Sequence, residues 1–245
     1  MSMRIDITSC LPAFNARLLA QKASGYIPVI AEIKSCTPSA GDLLKGRSIA
    51  SIAGEYHTGG AACLSVVTGK WFGGSADMLT ELARHTWLPI LRKDFITNKR
   101  QIVQSKANGA AAVLLTKKLL RTEHLTDLSA YALSIGLAPF VEISDETDVQ
   151  GVSLPPGAVI AVNNKRIMDQ ETDCGDINKS LALIDLCRAT GAGLLASASG
   201  ICTPNQVRRL FKAGFDAFLI GTALLASGDI QKCLQQFSLT CAKVA

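Results

Sequence analysis

Eight short apolar runs recur along the 245-residue chain, and this repetition constrains the fold more than any other feature of the sequence. The runs are Val29 to Lys34, Ala61 to Val67, Leu88 to Arg92, Ala111 to Thr116, Ala138 to Ile143, Ala158 to Asn163, Gly193 to Ala198 and Asp216 to Gly221. Their starts lie mostly about 22 to 35 residues apart, the length of one strand and a returning helix. Strands apolar on both faces are what a parallel sheet covered by crossover helices requires. Between them, Ser75 to His85, Asn98 to Asn108, Thr122 to Ser134 and Thr203 to Ala213 carry apolar residues at helical spacing. Thr203 and Pro204 supply a capping hydroxyl and then a proline at the first helical position. Gly59-Gly60, Gly109, Gly136 and Gly214 stand where helices must stop and turn into the next strand.

Eight such units with no dinucleotide-binding glycine loop point to a closed (β/α)8 barrel of the α/β class rather than an open doubly wound sheet. The spacing predicts one barrel over residues 27–245, preceded by a short N-terminal extension, residues 1–26, that forms a helix over the barrel bottom or rim. A hydrophobic content of 48% against 18% charged residues excludes a disordered chain. The net charge of +5 is spread without a basic run, which argues against nucleic acid as a partner and suits an anionic metabolite. No apolar stretch reaches the roughly 18 residues of a membrane span. The eight cysteines form no C-x-x-C pair and have no histidine cluster beside them, so they read as buried thiols of a cytoplasmic protein without a metal site.

In a barrel of this kind the chemistry collects where the strands end, because side chains there converge on one mouth. Glu32 and Lys34 share a face by the period of two, and Lys93 and Glu142 interrupt the third and fifth runs with charge. A carboxylate among apolar neighbours and near lysines is costly unless paired, and such a group serves as a general base. The sixth run ends in Asn163, Asn164 and Lys165. Ser199 and Gly200 follow the seventh run, while Gly221 and Thr222 follow the eighth, the usual place for backbone N–H groups to hold a phosphate.

These segments resemble the indole-3-glycerol phosphate synthase family. The resemblance is carried by Ala31-Glu32-Ile33-Lys34 with Thr37-Pro38-Ser39, Phe72-Gly73-Gly74-Ser75, Leu91-Arg92-Lys93-Asp94-Phe95-Ile96, Val141-Glu142, Val162-Asn163-Asn164, Ser199-Gly200-Ile201 and the stretch Gly214 to Gly221. It implies a carboxy-lyase of tryptophan biosynthesis acting on a small phosphorylated substrate, 1-(2-carboxyphenylamino)-1-deoxyribulose 5-phosphate, with no metal or organic cofactor. It also leaves room for association with other enzymes of the pathway. By position, Lys93 corresponds to the general acid and Glu142 to the general base; Lys34 would hold the substrate's carboxylate and phosphate end, and Glu32 would position the lysines. Asn163 completes the catalytic set. Thr37, Ser39 and Lys165 join Lys34, Ser199, Gly200, Gly221 and Thr222 around the substrate and its phosphate. Phe72, Phe95, Leu115, Ile167 and Ile220 correspond to an apolar pocket for an aromatic ring.

The chain departs from the family pattern close to the substrate. Ala198 stands where the family has a glutamate, and Lys165 where an arginine is usual. Gly69 replaces a commonly acidic residue, Lys117-Lys118 add positive charge, and the segment before the first strand is short. Three readings therefore stay open from sequence: a synthase, a paralogue acting on another phosphorylated aminosugar ketose, and a binding or channelling subunit.

Overall fold

The computed structural model describes residues 11–165 and 175–239. Eight parallel strands close into a barrel: β1 (Val29–Ile33), β2 (Cys63–Val67), β3 (Ile90–Lys93), β4 (Ala112–Thr116), β5 (Ala138–Ile143), β6 (Val159–Asn163), β7 (Leu194–Ala198) and β8 (Ala217–Ile220). Each pairs with its sequence neighbours, and β1 closes the ring on β8 through Val29 opposite Phe218 and Ala31 opposite Ile220. The helices are α1 (Ala13–Ala23), α2 (Ile49–Thr58), α3 (Ala76–His85), α4 (Lys99–Ala107), α5 (Thr122–Ser134), α6 (Glu146–Val149), α7 (Asn178–Ala189), α8 (Pro204–Ala213), α9 (Thr222–Leu225) and α10 (Ile230–Ser238). A two-stranded hairpin after β1, Cys36–Thr37 with Gly41–Asp42, has no counterpart in the apolar pattern.

The local signals behave as their chemistry dictates. Asn98 with Gln101 and Thr203 with Gln206 each form a reciprocal capping box at the start of α4 and α8. Gly60, Gly109, Gly136 and Gly214 adopt positive φ where helix gives way to strand, whereas Gly59 stays right-handed.

Alternation along the strands builds two apolar layers. Ala31, Val66, Val113, Val141 and Val162 face outward against the helices. Ile30, Cys63, Leu91, Leu114, Phe140 and Ala161 face inward and fill the barrel. Phe14 and Leu18 of α1 belong to that inner layer, with Phe14 meeting Phe140 edge-to-face at 6.3 Å. Asn15 of α1 donates to the Gly157 carbonyl just before β6. The helix thus seals the amino-terminal end of the barrel, and side chains can converge only at the opposite end.

The thiols divide, and the expectation of uniformly buried cysteines needs correction. Cys63 and Cys187 are buried, Cys36 and Cys233 half-buried, and Cys202 is exposed because it lies on the turn after β7; Cys10, Cys174 and Cys241 lie outside the described residues. Burial pushes the Cys187 thiol up to about 12 and raises that of Cys63 as well. Only the thiolate is nucleophilic. Alkylation of native protein at mildly alkaline pH, read by peptide mapping, should label Cys202 and leave Cys63 and Cys187 untouched until the chain unfolds. Phe14→Ala should cost about 3–5 kcal/mol of stability in a denaturant titration, because the inner layer has no other side chain to fill the space.

Candidate active site

At the open end the inward register turns from apolar to polar. Above Ile30, Leu91, Phe140 and Ala161 stand Glu32, Lys93, Glu142 and Asn163, all buried. One residue past β1, buried Lys34 continues the same parity. Lys34 Nζ lies 2.9 Å from Glu32 Oε1. Lys93 Nζ lies 3.7 Å from Glu32 Oε2, which makes no hydrogen bond among the described residues. One carboxylate therefore faces two ammonium groups. Its side chain crosses Gly221, where an added Cβ would stand 2.8 Å from Glu32 Oε1.

The second acid accepts from two neutral side chains. Asn163 Nδ2 donates to Glu142 Oε2 at 3.2 Å, and the Thr116 hydroxyl reaches Glu142 Oε1 at 3.5 Å from the adjacent strand. Asn163 is itself oriented, because its Oδ1 accepts from the Lys165 backbone N–H. The mouth thus holds an acid shared between two cations and an acid bonded to an amide and a hydroxyl. An arrangement of this kind separates groups able to give a proton from a group able to take one.

Residues just behind the mouth fix these positions. Arg92 points away from the barrel axis and binds Thr68, Ser105 and Asp94, with the Asp94 carboxylate 2.7 Å away. Asp94 also accepts from the Phe95 N–H, so the backbone on both sides of Lys93 is pinned. Buried Tyr56 of α2 donates to the Glu32 carbonyl at 2.9 Å, and burial together with the Glu32 charge holds its phenol well above the usual range. Asn164 donates to Ser197 Oγ and to the carbonyls of Ala198 and Ser199, while accepting from Ser180. That network clamps the turn in which Ser199, at φ 61°, adopts a conformation costly for a non-glycine residue.

A cavity of about 420 Å3 opens beside this cluster. Its lining includes Glu32, Lys34, Ser39, Lys165, Ser199, Gly200, Cys202, Gly221 and Thr222. Lys34 and Lys165 on its lining offer cationic groups to an anionic ligand.

The other expected ligand contacts divide. Thr37 Oγ1 accepts from the Ala40 N–H, inside the hairpin turn. Leu115 lies in the outer layer between sheet and helices, because the strand's period turns Leu114 and Thr116 inward instead. Ile220 shares that outward parity with Phe218 but borders the cavity at the strand end. Ile167 lies outside the described residues. Phe72 is buried and Phe95 is 39% exposed, on the loops after β2 and β3.

Sequence reasoning missed Trp71, Thr116 and the clamping role of Asn164. Trp71 stacks on Phe95 at 4.1 Å and 16°, and meets Phe72 at 6.4 Å. Its signal was a second aromatic beside Phe72 in a loop, where no periodicity assigns a direction. Among the described residues, no group of three or more His, Cys, Asp or Glu side chains is placed to hold a metal ion, and no helix is long and apolar enough to cross a membrane.

Residues 5–237 match the family model for indole-3-glycerol phosphate synthase. A protein of Pyrococcus furiosus with that name is 38% identical over 211 residues, 86% of this chain and 91% of the relative. Its namesake in Burkholderia vietnamiensis is 36% identical over 217 residues, 88% of this chain and 81% of the relative. A solved structure from Aquifex aeolicus VF5 covers 93% of this chain and 98% of its own at TM-score 0.65 and 11% identity, a likeness of fold alone. With a matching model across nearly its whole length and relatives this similar, the chain belongs to the indole-3-glycerol phosphate synthase family.

Proposed function

We propose that this protein is an indole-3-glycerol phosphate synthase, a carboxy-lyase that converts 1-(2-carboxyphenylamino)-1-deoxyribulose 5-phosphate to indole-3-glycerol phosphate. The observation that carries the reading is the pairing of Glu32 with Lys34 and Lys93 beside Glu142 and Asn163, at the mouth of a barrel of this family. The substrate brings a carboxylate and a phosphate, about three negative charges together, to a mouth that offers Lys34, Lys93 and Lys165.

In this reading Ser199, Gly200, Gly221 and Thr222 hold the phosphate with Lys165, and Phe72 and Phe95 receive the aromatic ring. Lys34 holds the substrate carboxylate near Glu32. The ring carbon bearing that carboxylate attacks the sugar carbonyl carbon, and Lys93 gives the carbonyl oxygen a proton as the new carbon–carbon bond forms. Carbon dioxide then leaves, and the electron pair of the broken bond restores the aromatic ring. The hydroxyl just formed departs as water, protonated from the lysine side of the mouth. Glu142 removes a proton from the adjacent carbon, and the new double bond completes the indole.

Glu32 serves as the fixed counter-charge of this scheme. It keeps two ammonium groups close together in a buried place, where their mutual repulsion would otherwise push them apart. The same reading carries a cytoplasmic location, where the exposed Cys202 thiol stays reduced.

Purified protein given the carboxyphenylamino-deoxyribulose phosphate should produce a growing indole fluorescence. No product above background at high enzyme concentration would overturn the assignment. Lys93→Ala and Glu142→Gln should each lower kcat by about 100- to 10,000-fold, the range of a lost acid or base, with circular dichroism unchanged. Normal turnover in either variant would remove that residue from the mechanism.

Ala198 lies inward on β7, paired in register with Asn163 of β6 and Leu219 of β8. Ala198→Glu places a carboxylate in the mouth next to the amide that holds Glu142. Turnover should rise in steady-state assays; equal or lower turnover would mean that the alanine is fitted to the rest of this site.

A further inference from the structure

Phe95, which the proposed function assigns to the substrate's ring, is stacked on Trp71, a residue that the synthase chemistry leaves without a role. Phe95 follows Lys93 by two residues, and its backbone N–H is fixed 2.8 Å from Asp94 Oδ1. Its ring is 39% exposed, and Trp71 lies flat against one face of it at a centroid distance of 4.1 Å. Two rings this close admit no third ring between them. A ligand ring can therefore use only the remaining face of Phe95 or the edges of the pair.

Trp71 also lies close against Gly69. A Cβ at position 69 would collide with the benzo ring of Trp71. Gly69 has φ −71° and ψ 134°, a conformation open to any residue, so its lack of a side chain serves space and not backbone geometry. Downstream, Gly73 in the left-handed region turns the loop back toward Ser35 and Cys36, next to the strand that carries Glu32. Gly69 thus touches Trp71, and Trp71 stacks on Phe95, which stands two residues beyond Lys93.

We infer that Trp71 is a positioning residue for the ring-bearing end of the substrate: it backs Phe95, and Gly69 is the space that admits it. The inference rests on the synthase reading and adds to it the residue pair that holds the aromatic wall upright. Without the indole behind it, a 39% exposed phenyl rotates freely, and the substrate ring must order it on binding.

The test separates the two ends of the ligand. Trp71→Ala should raise KM by about 3- to 10-fold, the value of one aromatic pair, and leave kcat within about two-fold. Calorimetry should show weaker binding of indole-3-glycerol phosphate by the same factor, and unchanged binding of glycerol 3-phosphate, which carries the phosphate end without the ring. Trp71→Phe should restore most of the loss. Gly69→Ala, by displacing the indole, should reproduce the Trp71→Ala effect, and the double variant should be no worse than Trp71→Ala alone.

An unchanged KM in Trp71→Ala, or equal weakening for both ligands, would overturn the inference while wild-type turnover keeps the function assignment standing. Additive effects of the two substitutions would break the link between Gly69 and Trp71. Wild-type protein with no turnover and no affinity for indole-3-glycerol phosphate would remove the function assignment and this inference together.

Discussion

The site depends on one buried carboxylate shared between two lysines. Glu32 lies 2.9 Å from Lys34 and 3.7 Å from Lys93, and all three side chains are buried. Taking an ammonium group out of water costs several kcal/mol, and bringing a second one close adds repulsion to that cost. Only an opposite charge between them offsets both. The place where such a charge can stand is narrow: Glu32 must cross the start of the turn after β8, and it can do so because residue 221 is glycine. Closure of the barrel between β1 and β8 is thus also what assembles the charges.

Everything below that level is arranged to keep the lower barrel dry. The inner layer mixes small alanines with Phe140, Ile30 and Leu91, and Phe14 and Leu18 of α1 enter from the sealed end. Water that reached the lysines from below would weaken each interaction at the mouth. Support for the polar layer comes instead from the sides, through Arg92 and Asp94 near β3, Tyr56 under β1 and Asn164 between β6 and β7. These groups face away from the reacting space, and their hydrogen bonds hold the backbone from which the reacting groups project.

Much of this was legible because charge in an apolar strand is a strong signal. Glu32, Lys93, Glu142 and Asn163 each stand within or at the end of a mainly apolar run, so both strand and direction follow from a period of two. Leu115 shows where that logic stops. In a strand buried on both faces the alternation carries no contrast, and Leu114, Leu115 and Thr116 could be placed only by register. Thr37 carries a second duty that its sequence position did not announce, since its hydroxyl oxygen also accepts from the turn's own backbone. Trp71 lay in a loop with no period at all, and only its stack on Phe95 reveals its direction.

The departures from the family pattern can be sorted by the same physical test. Gly69 is explained by its neighbour: the space it leaves is filled by the Trp71 ring. Ala198 has no such partner. It is fully buried on the inward face of β7, between Asn163 and Leu219. Its methyl group can neither accept a proton nor balance a charge, so this position adds no acid to Glu32 and Glu142. With Glu32 already shared between Lys34 and Lys93, the absence of a carboxylate here changes the charge that surrounds a ligand more than it changes the packing of the barrel.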